Sequence, residues 1–345
     1  LKGYVYLEKG NISIKNVDKP QMPAGGALAK ILCASICGTD LRSYRFGSDH
    51  ITPPRILGHE AVYLLEEVSP ELMKSFKPGD KVLVAPAIGC GECSSCKKGR
   101  TNMCDDLKTI GFQYDGTFAE YCAIPKQAFT MNNVIKIEEE IKDTEACVVE
   151  PIACAINGQS FLNIQKGDNV LVFGAGFLGC IHAELALMKG ADKVIIAEIS
   201  EKRRNQAKRD IPGVHVVNSG DPDYVQAIKD ITEGAGVDVI ITACPVGAVH
   251  RQALEMINKS GRISLFGGLA GEGKGFLDSN LIHYKEVGVF GVHASTPAQN
   301  REALGYVTSG RLKVEKYLTA FPIEKIEEAF QALIHEDAVK AIIRF

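Results

Sequence analysis

The sequence predicts an α/β chain in which a doubly wound parallel sheet follows a β-rich region. Three observations carry this. From about Ile152 onward, short apolar runs alternate with helical segments, the texture of a parallel sheet with crossover helices. Near the start of that alternation, Gly174, Gly176 and Gly179 stand in the spacing G-x-G-x-x-G directly after the apolar run Val170 to Phe173. Before it, residues 1 to 150 are dominated by short alternating runs broken by Pro and Gly, which is β patterning.

A length of 345 residues favours two domains over one core. A net charge of −3 offers no general attraction to nucleic acid or to an anionic membrane. No apolar run reaches membrane-spanning length, and no basic-then-apolar leader pattern stands at residue 1. Eleven cysteines in a long chain without such a leader point to metal ligands and small buried residues, not to a disulfide framework. The expected setting is cytoplasmic.

In order, Tyr4–Leu7, Asn11–Val17 and Ala27–Leu32 read as strands. Cys33 to Asp40 follows, with Thr39 and Asp40 placed to cap a helical segment. Ile56-Leu57-Gly58-His59-Glu60 is followed by a strand-like run to Val68, Pro78-Gly79-Asp80 forms a turn, and Lys81–Val84 is a strand. Gly116–Ile124 reads as a strand and Thr144–Gly158 as a helix. The parallel-sheet strands are Val170–Phe173, Val194–Ala197, His215–Val217, Val237–Thr242, Gly261–Phe266 and Val287–Val292. Cys180–Lys189, Tyr224–Glu233 and Gly247–Asn258 are helices between them. Near Thr296 the pattern changes again: Gln299–Thr308 and Ile323–His335 read as helices and Ala338–Phe345 as a strand, too short a tail for its own core. The expected division is therefore residues 1–151 with 296–345 as one domain and 152–295 as the other.

The glycine turn has the parts of a dinucleotide site. Gly174 permits the turn, Gly176 lets the backbone approach a pyrophosphate, and Gly179 lets helix and strand pack closely. Phe177 and Leu178 belong to the same segment, where the helix N-terminus offers unpaired N–H groups to phosphate. Glu198, ending the next strand, is placed to accept hydrogen bonds from the adenosine ribose. Lys202, Arg203 and Arg204 follow it and could in principle meet a 2′-phosphate, but an exposed first helical turn is the simpler reading.

Within residues 89–105, Cys90, Cys93, Cys96 and Cys104 are spaced C-x2-C-x2-C-x7-C among glycines and small polar residues. Four thiolates on one compact lobe suit a closed tetrahedral zinc site. Iron–sulfur clusters also use four cysteines, but with other spacings. Three further signals are ambiguous singly: Cys37 before Gly38-Thr39-Asp40, the pair His59-Glu60, and Glu150 before Pro151. A catalytic zinc needs about three protein ligands and an open position, and Cys, His and carboxylate make such a set.

Taken together and in order, Cys37-Gly38-Thr39-Asp40, Gly58-His59-Glu60, Pro78-Gly79-Asp80, the four-cysteine lobe, Asn102-Met103-Cys104, Glu150-Pro151 and the glycine turn resemble the zinc-containing medium-chain dehydrogenase/reductase family. Nearly the whole chain is covered. Within the family it is similar to the sorbitol and other polyol dehydrogenases, the sugar-alcohol-phosphate dehydrogenases and L-threonine dehydrogenase. The resemblance implies a GroES-like β-rich catalytic domain built from both flanks of the sequence, plus a Rossmann domain. It implies two zinc ions per chain and NAD. Cys37 and His59 match the catalytic zinc ligands, and Glu60 and Glu150 the two acids that share the remaining zinc chemistry. Thr39 matches the hydroxyl that touches the substrate oxygen and starts a proton relay. Cys90, Cys93, Cys96 and Cys104 match the structural zinc lobe, and Glu198 the acid of NAD-preferring members. Gly174, Gly176, Phe177, Leu178, Gly179 and Arg203 complete the cofactor residues.

The chain departs from the family pattern at Tyr63, where a glycine is usual, and at Arg42, where many relatives have a proton-relaying His. The Arg-Tyr pair of sorbitol dehydrogenases near Val292-His293-Ala294-Ser295 is missing. The implied reaction is reversible oxidation of a secondary alcohol to a ketone, with a polyol or polyol phosphate as substrate. An L-threonine 3-dehydrogenase and an NADP-dependent secondary alcohol dehydrogenase are the alternatives. Arg42, with Tyr44 and Arg45 nearby, is a candidate for holding a substrate phosphate or, alternatively, for meeting the cofactor pyrophosphate or stabilising its loop, and His293 for a substrate contact. A homodimer or homotetramer is implied, with no nucleic-acid or membrane partner. A nucleotide sensor without catalytic metal would be expected to lose Cys37 or His59, and a nucleic-acid-binding zinc protein would need a basic face. Both residues are present and the charge balance is acidic.

Overall fold

The structure is a computed structural model and describes residues 1–48, 50–269, 275 and 277–345. The chain forms two compact units: Leu1–Ala153 with Ala294–Phe345, and Cys154–His293.

The first unit is β-rich. Its larger sheet runs Val134–Lys136, Lys81–Val84, Glu60–Val68, Ala27–Ser35, Lys340–Arg344 and Leu318–Pro322, and Tyr121–Ile124 also pairs with Ala27–Ser35. A smaller sheet joins Asn11–Asn16, Lys2–Glu8 and Arg55–Ile56. Inward positions of the strands close on the helix Ile326–Ile334, whose Phe330 ring lies 5.4 Å from Tyr4 and 6.3 Å from Phe118. Tyr63, the residue that replaces the usual glycine, is completely buried in this core. Two registers position the site. Ser35 pairs with Glu60 on one side and with Ile342 on the other. The Ile36 N–H donates to the Ala341 carbonyl at 3.0 Å, which extends the pairing toward Cys37 and Lys340.

The second unit holds a six-stranded sheet in the order Val214–Asn218, Lys193–Glu198, Asn169–Phe173, Val237–Thr242, Ile257–Leu265, Gly288–Gly291, with every pair parallel. Strands covered on both faces need continuous apolar runs, and Leu171, Ile195, Ile240 and Ile263 are indeed buried. Asn169–Phe173, first in sequence, lies between the second and fourth strands, so the strand order reverses there. Such a switch point opens a crevice at the carboxyl ends of the strands.

Several elements differ from expectation. Thr144–Gly158 is two helices, Asp143–Ala146 and Val149–Ser160. Of Gly116–Ile124 only Tyr121–Ile124 is a strand, because Gly116, Thr117 and Phe118 donate to Ile56, Gly58 and Leu57 instead. The helix after the glycine turn starts at Phe177 and so takes in Gly179. The helix Ser279–Lys285 and the strand Leu318–Pro322 carry no clear pattern in the sequence.

Candidate metal centres and nucleotide site

Cys37 ends a buried β segment and starts the helix Gly38–Phe46. It is the N-cap of that helix, in place of Thr39, and Asp40 at N3 completes a capping box as expected of a capping residue. The Cys37 sulfur accepts the Thr39 N–H at 3.4 Å, while Asp40 Oδ2 accepts the Cys37 N–H at 2.9 Å. These bonds fix the position of the sulfur at the helix N-terminus. Asp40 is buried, and its Oδ1 stands 3.7 Å from His59 Nδ1. Burial alone would lower the His59 imidazole. The negative charges of Asp40, Cys37 and Glu150 outweigh it and raise His59 well above its ordinary value.

Glu60 is completely buried. Its Oε2 accepts from the Ser35 hydroxyl and from Lys340 Nζ, while Oε1 has no hydrogen-bond partner among the described residues. Ligand atoms of Cys37, His59 and Glu60 lie within 4.8 Å of one another. A buried carboxylate oxygen without a donor, beside a sulfur and an imidazole, fits a cation with mixed soft and hard ligands such as zinc. Glu150, in the first turn of Val149–Ser160, stands outside that trio and is felt by His59 through its charge. Thr39 is half-buried beside Cys37.

The other expected residues divide. Arg42 is partly exposed on the same helix. The Tyr44 ring packs edge-on to Phe330 at 5.8 Å, so it serves the core. His293 belongs to the second unit, exposed, with its carbonyl accepting from Asn157.

The sulfurs of Cys90, Cys93, Cys96 and Cys104 also lie within 4.8 Å of one another. Backbone N–H groups point at them: Cys90 N to Cys104 Sγ at 3.1 Å, Cys93 N to Cys90 Sγ at 3.3 Å, Cys96 N to Cys93 Sγ at 3.5 Å. The N–H groups of Cys96 and Asp105 pull the Cys93 thiol down to about 6. Four sulfurs so converged, one of them already inclined to ionise, fit a closed structural zinc.

In the second unit, Gly174 adopts φ +102°, and a Cβ on Gly179 would lie 2.0 Å from the Gly174 carbonyl oxygen, so both positions demand glycine. A Cβ built on Gly176 would meet no described atom within 4 Å outside its chain neighbours and its own helix backbone, which leaves room at the helix N-terminus before Phe177 and Leu178. Glu198 is buried and turned onto this loop: Oε2 accepts the Ala175 N–H at 2.7 Å and Oε1 the Ser200 N–H at 2.8 Å. Arg203 donates its backbone N–H to the helix cap Ser200. Arg204 is engaged with the carbonyls of Glu198 and Ile199 and with Asn218. His182, on the helix behind the turn, is a core residue. It is completely buried, set edge-on to Phe266 at 4.4 Å, and held near pKa 3 by burial. Asp40, Ser35 and Lys340 are the site residues that spacing misses. The only mark of Lys340 in the sequence is a charge inside the otherwise apolar run from Ala338 to Ile343.

A switch-point sheet with a glycine turn, a Cys/His/Glu trio and a four-thiol lobe together define a zinc- and nucleotide-dependent oxidoreductase. Residues 23–137 match the family model of the alcohol dehydrogenase GroES-like domain, and residues 178–309 that of zinc-binding dehydrogenase. L-Threonine 3-dehydrogenase of Pyrococcus furiosus is 36% identical over 324 residues, covering 92% of this chain and 90% of that protein. Sorbitol dehydrogenase of Bacillus subtilis is 28% identical over 339 residues, covering 96% and 94%. A protein of Sinorhizobium meliloti 1021 described as a zinc-binding dehydrogenase, solved bound to NADP, superposes with a TM-score of 0.90 at 27% identity, covering 100% and 99%. This chain belongs to the zinc-binding alcohol dehydrogenase family: it is a zinc-dependent oxidoreductase that acts on CH–OH groups with a nicotinamide dinucleotide.

Proposed function

We propose that the protein oxidises the secondary alcohol of a small polyol or polyol phosphate to a ketone, with NAD as acceptor. The observation that carries this is the trio Cys37, His59 and Glu60, with a buried Glu60 oxygen left without a donor. A carboxylate in the third position makes a more polar ligand set than thiolates and imidazole alone, and suits a substrate with several hydroxyls. When bound, zinc supplies a Lewis acid for the alcohol oxygen, and NAD the hydride acceptor. Cys37, His59 and Glu60 hold the ion, and Asp40 orients His59. The Thr39 hydroxyl accepts the proton of the substrate alcohol and passes it on. The Gly174–Gly179 turn receives the pyrophosphate, and Glu198 the adenosine ribose. Cys90, Cys93, Cys96 and Cys104 hold a second, structural zinc.

The Pyrococcus furiosus relative favours a second reading, oxidation of the hydroxyl of L-threonine. A panel of free polyols, polyol phosphates, L-threonine and simple alkyl alcohols, each with NAD and NADP, separates the two. The highest kcat/KM on a simple alkyl alcohol would overturn both.

We also propose a homodimer or homotetramer. The strand Gly288–Gly291 ends its sheet with one neighbour, leaving an edge for a second copy. Light scattering of the purified protein reads this directly, and a monomer would exclude it. None of the eleven cysteines forms a disulfide, which supports a reducing, cytoplasmic setting. Among the described residues no helix is long and apolar enough to cross a membrane.

A further inference from the structure

Lys340 is about 4% exposed, on the strand Lys340–Arg344 of the first unit. An ammonium group so deeply buried is costly unless it is paired and hydrogen-bonded. Its Nζ donates to the Ile36 carbonyl at 2.9 Å and to Glu60 Oε2 at 2.5 Å. These two acceptors belong to the two segments that carry metal ligands: Ile36 immediately precedes Cys37, and Glu60 follows His59. The Ser35 hydroxyl adds a second donor to the same Glu60 oxygen. Oε2 is therefore occupied from two sides, while the buried Oε1 has no donor.

We propose that Lys340 is a positioning residue for the catalytic metal. It fixes the Glu60 carboxylate so that one oxygen alone is offered to the ion, and it ties the strand end before Cys37 to Glu60, setting the spacing of the trio. A carboxylate released from Lys340 would rotate and present either or both oxygens, changing the ligand geometry around the ion. Outer partners of metal ligands act in this way, and their loss typically costs 10–100-fold in metal affinity. The inference rests on the reading of Cys37, His59 and Glu60 as zinc ligands.

The test uses the purified holoenzyme as wild type, Lys340→Met, Lys340→Arg, Glu60→Gln and the double variant Lys340→Met with Glu60→Gln. The catalytic zinc is exchanged for cobalt(II). Two quantities are read besides turnover: the visible ligand-field bands, and the rate of metal release to a chromophoric chelator. In Lys340→Met the bands shift and release is about tenfold faster or more, whereas Lys340→Arg keeps the wild-type bands. The double variant releases metal at the rate of Glu60→Gln, because Lys340 acts through Glu60. Lys340→Met with wild-type bands and release rate would overturn the proposal. So would a double variant about tenfold faster than Glu60→Gln, since that gap measures an effect of Lys340 independent of Glu60. If Lys340→Met fails to fold with an unpaired buried carboxylate, the double variant decides by the same comparison, because neither charge is left alone in it. The underlying site fails separately: a wild type with a single zinc, or a Cys37→Ser variant that keeps both, refutes the trio itself. Two zinc ions in the wild type with an indifferent Lys340→Met refute only the role of Lys340.

Discussion

Cys37 and Asp40 cap the same helix reciprocally: the thiol of one receives backbone N–H groups of the first turn, and the carboxylate of the other receives the Cys37 N–H at 2.9 Å. The other oxygen of that carboxylate stands 3.7 Å from His59. One helix start therefore fixes one expected zinc ligand through the main chain and a second through Asp40. The catalytic trio is tied to rigid secondary structure.

Two zinc ions per chain are expected from the two separate ligand clusters. Cys37→Ser is expected to remove one ion and nearly all turnover while leaving the fold intact. Cys93→Ser is expected to remove the other and chiefly lower the melting temperature, because a structural ion contributes folding free energy. Elemental analysis with thermal melting checks both. Loss of chemistry in a fully stable Cys93→Ser protein would reverse the assignment.

NAD is expected to be preferred over NADP. A carboxylate facing a 2′-phosphate costs on the order of 1 kcal/mol or more in repulsion. Glu198→Ala should narrow the NAD-to-NADP ratio of kcat/KM. The hydrogen bonds of Glu198 to Ala175 and Ser200 add a second outcome. Without them the glycine turn loses its acceptors, and stability should fall by roughly 1–3 kcal/mol in the absence of nucleotide. A wild type already favouring NADP contradicts the first expectation, and an unchanged melting curve the second.

His182 makes stability depend on pH. Its folded pKa of about 3 lies below the unfolded value near 6.5. Between these values only the unfolded chain takes up the proton. The contribution of neutral His182 is therefore intact above about pH 6.5 and is lost progressively as pH falls toward 3. From pH 7 to 4.5 the loss is roughly 2–3 kcal/mol. His182→Leu should shed that component, so the wild type should fall relative to the variant by this amount in urea unfolding at the two pH values. Parallel losses in the two proteins would show that His182 is not the titrating group.

Arg42 separates phosphorylated from free substrates. Should it hold a substrate phosphate through charge-assisted hydrogen bonds, Arg42→Ala lowers kcat/KM for a polyol phosphate about tenfold or more beyond its effect on the free polyol. Equal losses on both, with weaker NAD binding, would move Arg42 to the cofactor.

What could be read from sequence was what local sterics or local spacing decides. Gly174 and Gly179 announce the turn because Gly174 takes a left-handed φ of +102° and a side chain on Gly179 would collide with the Gly174 carbonyl in the same turn. Cys90 to Cys104 announce their lobe because all four sulfurs come from one short loop. The third member of the proposed catalytic trio was less legible. Glu60 and Glu150 are equivalent as text, and the sheet register that places Glu60 against Ser35 singles one out. Lys340 was invisible for the same reason, since its partner lies 280 positions away. Tyr44 is expected from sequence beside Arg42 as a substrate contact, and only the Phe330 ring, distant in sequence and 5.8 Å away, reveals its packing against the core. The break after Ala146 carries no Gly or Pro to mark it.

The sheet that carries Glu60 is completed by the strand Lys340–Arg344, after the whole second unit has intervened in sequence. On a ribosome adding roughly 5–20 residues per second, that strand emerges on the order of ten seconds or more after residue 153. During that interval the nascent chain already displays Cys37, His59 and all four lobe cysteines, but not the lysine that anchors Glu60. The four-cysteine lobe can mature while translation continues. The proposed catalytic centre has to await synthesis of Lys340, so ion capture in the cell should proceed in a fixed temporal order.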